Sequence, residues 1–316
     1  MADRVKVCIV GAGRVGSTFA YSLAGSALVR EIVMVDSDFA RAEGEAMDVA
    51  HAVPFQRPVK VRPGVAADSA GAVATVVTAG AAQRPDESRP ALMQRNLAVV
   101  RAVVADVVAA NPDGLLVIAT NPVDALTWAA VQQARLPAGR VLGSGTVLDS
   151  ARLRSELAAH YRVDPRNVHA YVLGEHGDTE FVAWSTASIA NMDLPAYCAA
   201  TGHACTQDVL DAIAGRVRNA AYEVIRRKGA THFAIASALT RILEAIVRDE
   251  HSVLTVSTLL QGEYGLRDVC LSLPAVVGRR GVERVLPVPL AVGEIAALRR
   301  SADAIRDAAR AAQEAS

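Results

Sequence analysis

No stretch of this 316-residue chain stays apolar for the roughly 18 residues that a bilayer-spanning helix needs, and even residues 102–110 are broken by Asp106. A membrane span is excluded on that ground. Net charge is also missing: Lys plus Arg and Asp plus Glu each number 33, so no broad field for nucleic acid or anionic lipid is expected. Small-molecule work is the expectation. Cysteine is sparse, with Cys8, Cys198, Cys205 and Cys270 scattered along the chain, and reduced thiols suit a cytosolic protein. Cys198, His203 and Cys205 lie close in sequence, but no CxxC or HxxxH frame accompanies them, so their proximity reads as coincidence and no metal is expected. The first residues run into an apolar strand without the charged region, apolar core and cleavage site of a secretion signal. The expectation is a soluble, cytoplasmic protein. Internal repeats and low-complexity tracts are absent too.

What is present suits two domains, since a chain of this length is long for one core. Short β-branched runs at 5–10, 31–35, 75–78 and 115–119 read as buried parallel strands. Between and after them, 13–26, 40–50, 92–110 and 123–134 have helical length and composition, and Asn111-Pro112-Asp113-Gly114 is a stop signal. This alternation predicts an α/β fold, a Rossmann doubly wound parallel sheet over 1–145. Past Gly143-Ser144-Gly145 the pattern changes, predicting a C-terminal α+β substrate domain over 146–316. Its expected elements are helices at 150–160, 207–227 and 292–312 and strands at 168–172, 269–277 and 282–290. Ile295, Leu298 and Ile305 give the last helix an apolar stripe for packing on the body.

Gly11-Ala12-Gly13-Arg14-Val15-Gly16 follows the first strand and opens the first helix, the context in which GxGxxG binds a dinucleotide. Gly11 serves the tight turn, Gly13 the approach of a pyrophosphate and Gly16 the close helix packing, with helix N-terminal amides facing the anion. Asp36, 20 residues after Gly16, ends the second strand, where a carboxylate accepts hydrogen bonds from a ribose and repels a 2′-phosphate. NAD is the expected cofactor. Arg41 either neutralises the pyrophosphate or is simply solvated.

Gly174-Glu175-His176-Gly177-Asp178-Thr179-Glu180 sets one histidine between glycines and among carboxylates, which favour a charged imidazole. Segments 83–89, 120–124 and 148–152 add residues able to handle a carboxylate and a carbonyl. With GxGxxG, Thr120-Asn121-Pro122-Val123-Asp124, Leu148-Asp149-Ser150-Ala151-Arg152 and Gly174-Glu175-His176-Gly177-Asp178 in this order, the chain resembles the lactate and malate dehydrogenase family, in particular its bacterial lactate-forming members. The resemblance runs from Val5 to the C-terminal helix. It implies reversible hydride transfer between NADH and pyruvate, giving L-lactate. His176 would then be the acid and base at the ketone oxygen, and Asp149 would orient it, alongside any task as a helix N-cap. Arg152 would grip the substrate carboxylate in a bidentate fork, and Arg89 would arrive with the loop 81–89 to polarise the carbonyl. Asn121 would touch both nicotinamide and substrate, with Asp124 also at the substrate. Val15, Gly80, Ala81, Ala119, Thr120 and Ser144 would line the cofactor groove. Thr231 would close a small methyl pocket.

The resemblance also implies that specificity is set at the start of the loop. Here stands neutral Gln83, beside Arg84. The spacing from Gln83 to Arg89 and the presence of Thr231 favour Gln83 in that position and pyruvate as substrate, since a second carboxylate would be buried unpaired at a cost of roughly 2 kcal/mol or more. A shift of one residue would place Arg84 there and imply NAD-dependent malate dehydrogenase. Asp86 stands where the family usually has glycine, and Pro90 restricts the residue before it, so the expectation is a stiffer lid. Arg154 and His169 match positions that bind fructose 1,6-bisphosphate between subunits in allosteric members, and the resemblance implies a homotetramer. A non-catalytic NAD-binding structural or sensor protein is the reading from another class; the intact set Arg89, Asp149, Arg152 and His176 argues against it.

Overall fold

The computed structural model describes residues 5–81 and 89–314. Six parallel strands, β1 (Lys6–Val10), β2 (Glu31–Val35), β3 (Lys60–Gly64), β4 (Ala74–Val77), β5 (Leu115–Ile118) and β6 (Val141–Gly143), form most of an eight-stranded sheet. The near-continuous apolar runs of β1, β2, β4 and β5 fit strands covered on both faces. β3 breaks that pattern with Lys60, Arg62 and Pro63, and it occupies the sheet edge, where charge and proline block further pairing.

Helices cover both faces. α1 (Arg14–Gly25) and α2 (Phe39–Ala52) lie on one side, and α3 (Arg89–Ala110) and α4 (Val123–Ala134) on the other. Each follows a strand, as expected of a doubly wound fold. The Asp38 side chain caps α2 by accepting from Arg41 N at 3.2 Å. α5 (Val147–Tyr161) leads into the C-terminal part, with α6 (Leu194–Thr201), α7 (Gln207–Lys228), α8 (Phe233–Arg248) and α9 (Val292–Glu314). Leu298, Ala302 and Ile305 of α9 join the core around α3 and α4. A separate core gathers Leu153, Leu157, Tyr161 and Val217 of α5 and α7.

Several expectations change. The sheet does not stop at the expected 145/146 boundary: Ser257–Gln261 pairs antiparallel with β6 through Ser257 and Gly143, and Arg267–Ser272 pairs antiparallel with it in turn. The strand expected at 168–172 is two short ones, Val168–His169 and Val172–Leu173, in different small sheets. The expected run 269–277 is broken before Ala275 by Pro274, and 282–290 stays a strand only to Val285, because Pro287 and Pro289 lack the ladder N–H. α8 escapes the sequence reading altogether, although Ala236, Leu239, Ile242, Leu243 and Ile246 make a buried stripe against α1 and the sheet. All four cysteines are free thiols, and Cys198 Sγ donates to the Tyr161 hydroxyl at 3.4 Å, a packing contact inside the C-terminal core.

Candidate active site

The β1 to α1 turn is built as its glycines imply. Gly11 has φ +107°, and a Cβ there would lie 2.4 Å from Ala79 N; one on Gly16 would lie 1.9 Å from Gly11 O. Around Gly13, by contrast, the space a Cβ would take is open, leaving the start of α1 free to meet a ligand. Beside it opens a groove of about 620 Å³ lined by Gly11, Gly13, Asp36, Arg41, Gly80 and Ala81, among others. The Asp36 Oδ2 accepts from Ala12 N at 2.7 Å and its Oδ1 from Asp38 N at 3.0 Å, so the carboxylate is fixed at the rim with lone pairs to spare. Arg41 stands there 3.9 Å from Asp38 and half exposed, which is compatible with either reading of it. A dinucleotide fits these residues: an open helix N-terminus for its phosphates, and an acceptor for a ribose. Val15, Gly16, Ala119, Thr120 and Ser144 do not line this groove. Thr120 Oγ1 donates to Ala79 O at 2.7 Å, and Ser144 N donates to Ile118 O at 2.8 Å.

A second cavity, of about 320 Å³, lies where α5, α7 and the 174–180 loop meet. Asn121, Asp149, Arg152 and His176 all line it. Asp149, in the first turn of α5 and 1% exposed, divides its carboxylate. Its Oδ2 lies 2.6 Å from His176 Nδ1, and its Oδ1 accepts from Arg152 Nη1 at 2.6 Å. The ring atom left for a ligand is therefore His176 Nε2. Burial alone would lower the His176 pKa, but the Asp149 carboxylate, helped by Asp124 and Glu180, outweighs it and raises it to about 9. Burial likewise opposes ionisation of Asp149, yet His176 and Arg152 hold its pKa below the ordinary carboxylate value.

Asp124 is placed differently from its expected substrate contact. It is 1% exposed, lines neither cavity, and accepts from the His176 backbone N at 2.7 Å through Oδ2. Burial pushes its pKa up to about 6 against that hydrogen bond. Thr231 lies in the connection between α7 and α8, half-buried and away from the cavity lining. Gln83, Arg84 and Asp86 fall outside the described residues; Arg89 is the first residue of α3. Arg154 and His169 line neither cavity, standing on α5 and on the strand Val168–His169.

Three residues of the site carry no sequence signal strong enough to single them out. Asn96, 3% exposed in α3, has its Oδ1 accept from Ala81 N at 2.7 Å while its Nδ2 donates to Asn121 O at 2.9 Å. It ties the floor of one cavity to the wall of the other. Glu180 counted in the sequence only as one of several carboxylates near His176, yet it is buried and lines the substrate-sized cavity. Arg218 of α7 lines it too, donating from Nη2 to Glu180 O at 3.2 Å.

Residues 5–143 match the family described as lactate/malate dehydrogenase, NAD binding domain, and residues 146–315 match its alpha/beta C-terminal domain. A curated L-lactate dehydrogenase of Acetivibrio thermocellus is 49% identical over 303 residues, covering 96% of this chain and 95% of that protein. One of Moorella thermoacetica is 50% identical, with 95% of each chain covered. Among solved structures, the ligand-bound minor L-lactate dehydrogenase of Enterococcus mundtii superposes with a TM-score of 0.94 at 38% identity, covering 98% of both chains. A lactate dehydrogenase from a Medee basin deep-sea metagenome library gives 0.95 at 39%, covering 98% of this chain and 99% of the other.

Proposed function

This chain belongs to the lactate/malate dehydrogenase family, and we infer that it is an NAD-dependent L-lactate dehydrogenase that interconverts pyruvate and L-lactate. The observation that carries the chemistry is Asp149 joined to both His176 and Arg152 at 2.6 Å on the wall of one cavity. NAD, when bound, supplies or accepts the hydride. Gly13 and the α1 N-terminus would receive its pyrophosphate, Asp36 its adenosine ribose, and Ala119, Thr120, Asn121 and Ser144 would border the nicotinamide end.

In pyruvate reduction His176 delivers a proton from Nε2 to the ketone oxygen as negative charge develops there, and in lactate oxidation it accepts the hydroxyl proton. Asp149 fixes the ring through Nδ1 and favours its protonated form. Asp124 holds the His176 backbone from below. Arg152, with one guanidinium edge on Asp149, turns its remaining N–H groups to the substrate carboxylate. Arg89 would polarise the carbonyl, and Gln83 would leave no cation for a second carboxylate.

Arg154 supports the reading of a fructose 1,6-bisphosphate effector site with His169: half-buried, it has no hydrogen-bond or ion-pair partner among the described residues, and burial lowers its pKa. A homotetramer is proposed with it. Exposed Tyr21 and Phe233 border a hollow between α1, α2 and α8, and Met47 and Phe55 stand exposed on α2 and just beyond it, an apolar face suited to a second copy of the chain. No helix among the described residues is long and apolar enough to cross a membrane, and the free thiols accord with the cytoplasm. NADH oxidation with pyruvate or oxaloacetate, with and without the bisphosphate, tests the whole reading. The expected result is turnover of pyruvate well above that of oxaloacetate, with the bisphosphate lowering the pyruvate KM. Preferred oxaloacetate turnover would overturn the lactate assignment, and a saturation curve unmoved by the bisphosphate would overturn the effector.

A further inference from the structure

Glu180 is 7% exposed and lines the same cavity as His176 and Arg152. Among the described residues its carboxyl group accepts no hydrogen bond and joins no ion pair; its backbone alone is engaged, the N donating to Gly177 O at 3.2 Å and the O accepting from Arg218 at 3.2 Å. A residue more than nine-tenths buried whose carboxyl group borders a cavity without a protein partner is placed to meet whatever occupies that cavity. One of its carboxyl oxygens comes within 4.8 Å of an oxygen of Asp149 and a ring nitrogen of His176.

We propose that Glu180 sets the charge that this cavity presents to the substrate carboxylate: as the neutral acid it admits the anion, and as the carboxylate it repels it. The proposal rests on the dehydrogenase reading of the cavity and adds a specificity-determining residue to it. Charged neighbours act on Glu180 from three elements. From α5, Asp149 disfavours a second negative charge while Arg152 favours one; from the 174–180 loop, His176 favours it when protonated, and Glu175 and Asp178 line the same cavity; from α7, Arg218 favours it and Tyr222 stands alongside. Burial and the Asp149 carboxylate prevail, raising the Glu180 pKa to about 8. The neutral form therefore exists where the enzyme meets pyruvate or lactate near neutrality. Above that range Glu180 releases its proton to solvent, and a further negative charge faces an anionic substrate.

Lactate separates this group from His176. Lactate needs the neutral imidazole, whose Nε2 accepts the hydroxyl proton, so deprotonation of His176 improves lactate binding as pH rises. An alkaline loss of lactate affinity must come from another group. The test is the lactate KM with saturating NAD, measured from about pH 7 to about pH 10 on the full chain, on Glu180→Gln and on Glu180→Asp.

The wild-type KM should rise about tenfold at the alkaline end, the size expected for one like charge a few ångströms away in a half-solvated site, and by less than about twofold in Glu180→Gln. The aspartate, shorter by one methylene, should keep the rise with a displaced midpoint. Loss of the Glu180 charge should also lower the pH at which pyruvate reduction fades, since that charge supports the imidazolium. An alkaline rise as large in Glu180→Gln as in the wild type overturns the proposal. Should the glutamine variant fail to fold, an aspartate variant with an unmoved midpoint overturns it equally. Wild-type protein that reduces no NAD with lactate would instead remove the dehydrogenase reading beneath it.

Discussion

Asp149 and His176 stand 27 residues apart in sequence and 2.6 Å apart in space, with Asp149 on the first turn of α5 and His176 in the loop before Phe181. Both ends of this contact are tied to one residue. Ser272 Oγ accepts from Thr146 N at 3.1 Å, just ahead of α5, and the Ser272 backbone exchanges hydrogen bonds with Gly174, two residues before His176.

Removing the Asp149 charge should lower the proton affinity of His176. Its pKa is raised to about 9, so the imidazolium persists below that pH and disappears above it. Asp149→Asn should move the alkaline fall in kcat/KM for pyruvate towards the ordinary imidazole range near 6.5, with turnover lower by about 10²–10⁴. By linkage, the same pair stabilises the fold fully below the unfolded imidazole pKa, and that contribution is lost as pH rises through about 9. A pH–rate profile beside thermal unfolding at several pH values reads both effects, and an unmoved midpoint in Asp149→Asn would refute the account.

Arg152→Lys keeps the charge and loses the planar fork. Lysine cannot hold Asp149 and grip a carboxylate with the same geometry, so kcat/KM for pyruvate should fall about a hundredfold, mainly through KM. Steady-state kinetics with NADH saturating gives the answer; a change under about threefold would show that the fork is not used.

Asn96 is the link between the two cavities. Asn96→Ala leaves the Ala81 N–H and the Asn121 carbonyl without this partner, at a cost of about 1–3 kcal/mol. Both the NADH and the pyruvate KM should rise and Tm should fall. A loss of stability with unchanged KM for both would restrict Asn96 to a structural task.

At Gly16 the contact is backbone against backbone, with a Cβ 1.9 Å from Gly11 O. Gly16→Ala must push α1 away from β1, costing about 1–3 kcal/mol and weakening NADH binding. NADH fluorescence titration of the variant is the check, and affinity equal to wild type would contradict it.

Much of this is legible in the sequence. GxGxxG between a strand and a helix, Asp36 at the end of the next strand, and the segment from Asp149 to Arg152 are local patterns whose geometry follows from the element that carries them. Asn96 was invisible because its partners, Ala81 and Asn121, lie 15 and 25 residues away, and within an apolar helix it looks like one tolerated polar residue. Glu180 was visible as a charge but not as a buried one. The Thr120 to Asp124 motif names residues without saying which way each side chain points; in the first turn of α4, Asp124 points inward to the His176 amide. The buried stripe of α8 is recognisable only once its partners α1 and the sheet are known, and the strand Ser257–Gln261 joins β6 across 114 residues of chain, a pairing no local pattern announces.

That last pairing bears on how the chain can be cut. Because Ser257 pairs with Gly143, the cofactor-binding half does not finish its own sheet. A fragment ending at 145 would leave Gly143, at the end of β6 beyond apolar Val141 and Leu142, without its strand partner and that flank of the sheet uncovered. Such an edge recruits other strands, so expressing that half alone should yield aggregates, and reassembly from two fragments would need the 257–272 hairpin supplied in trans.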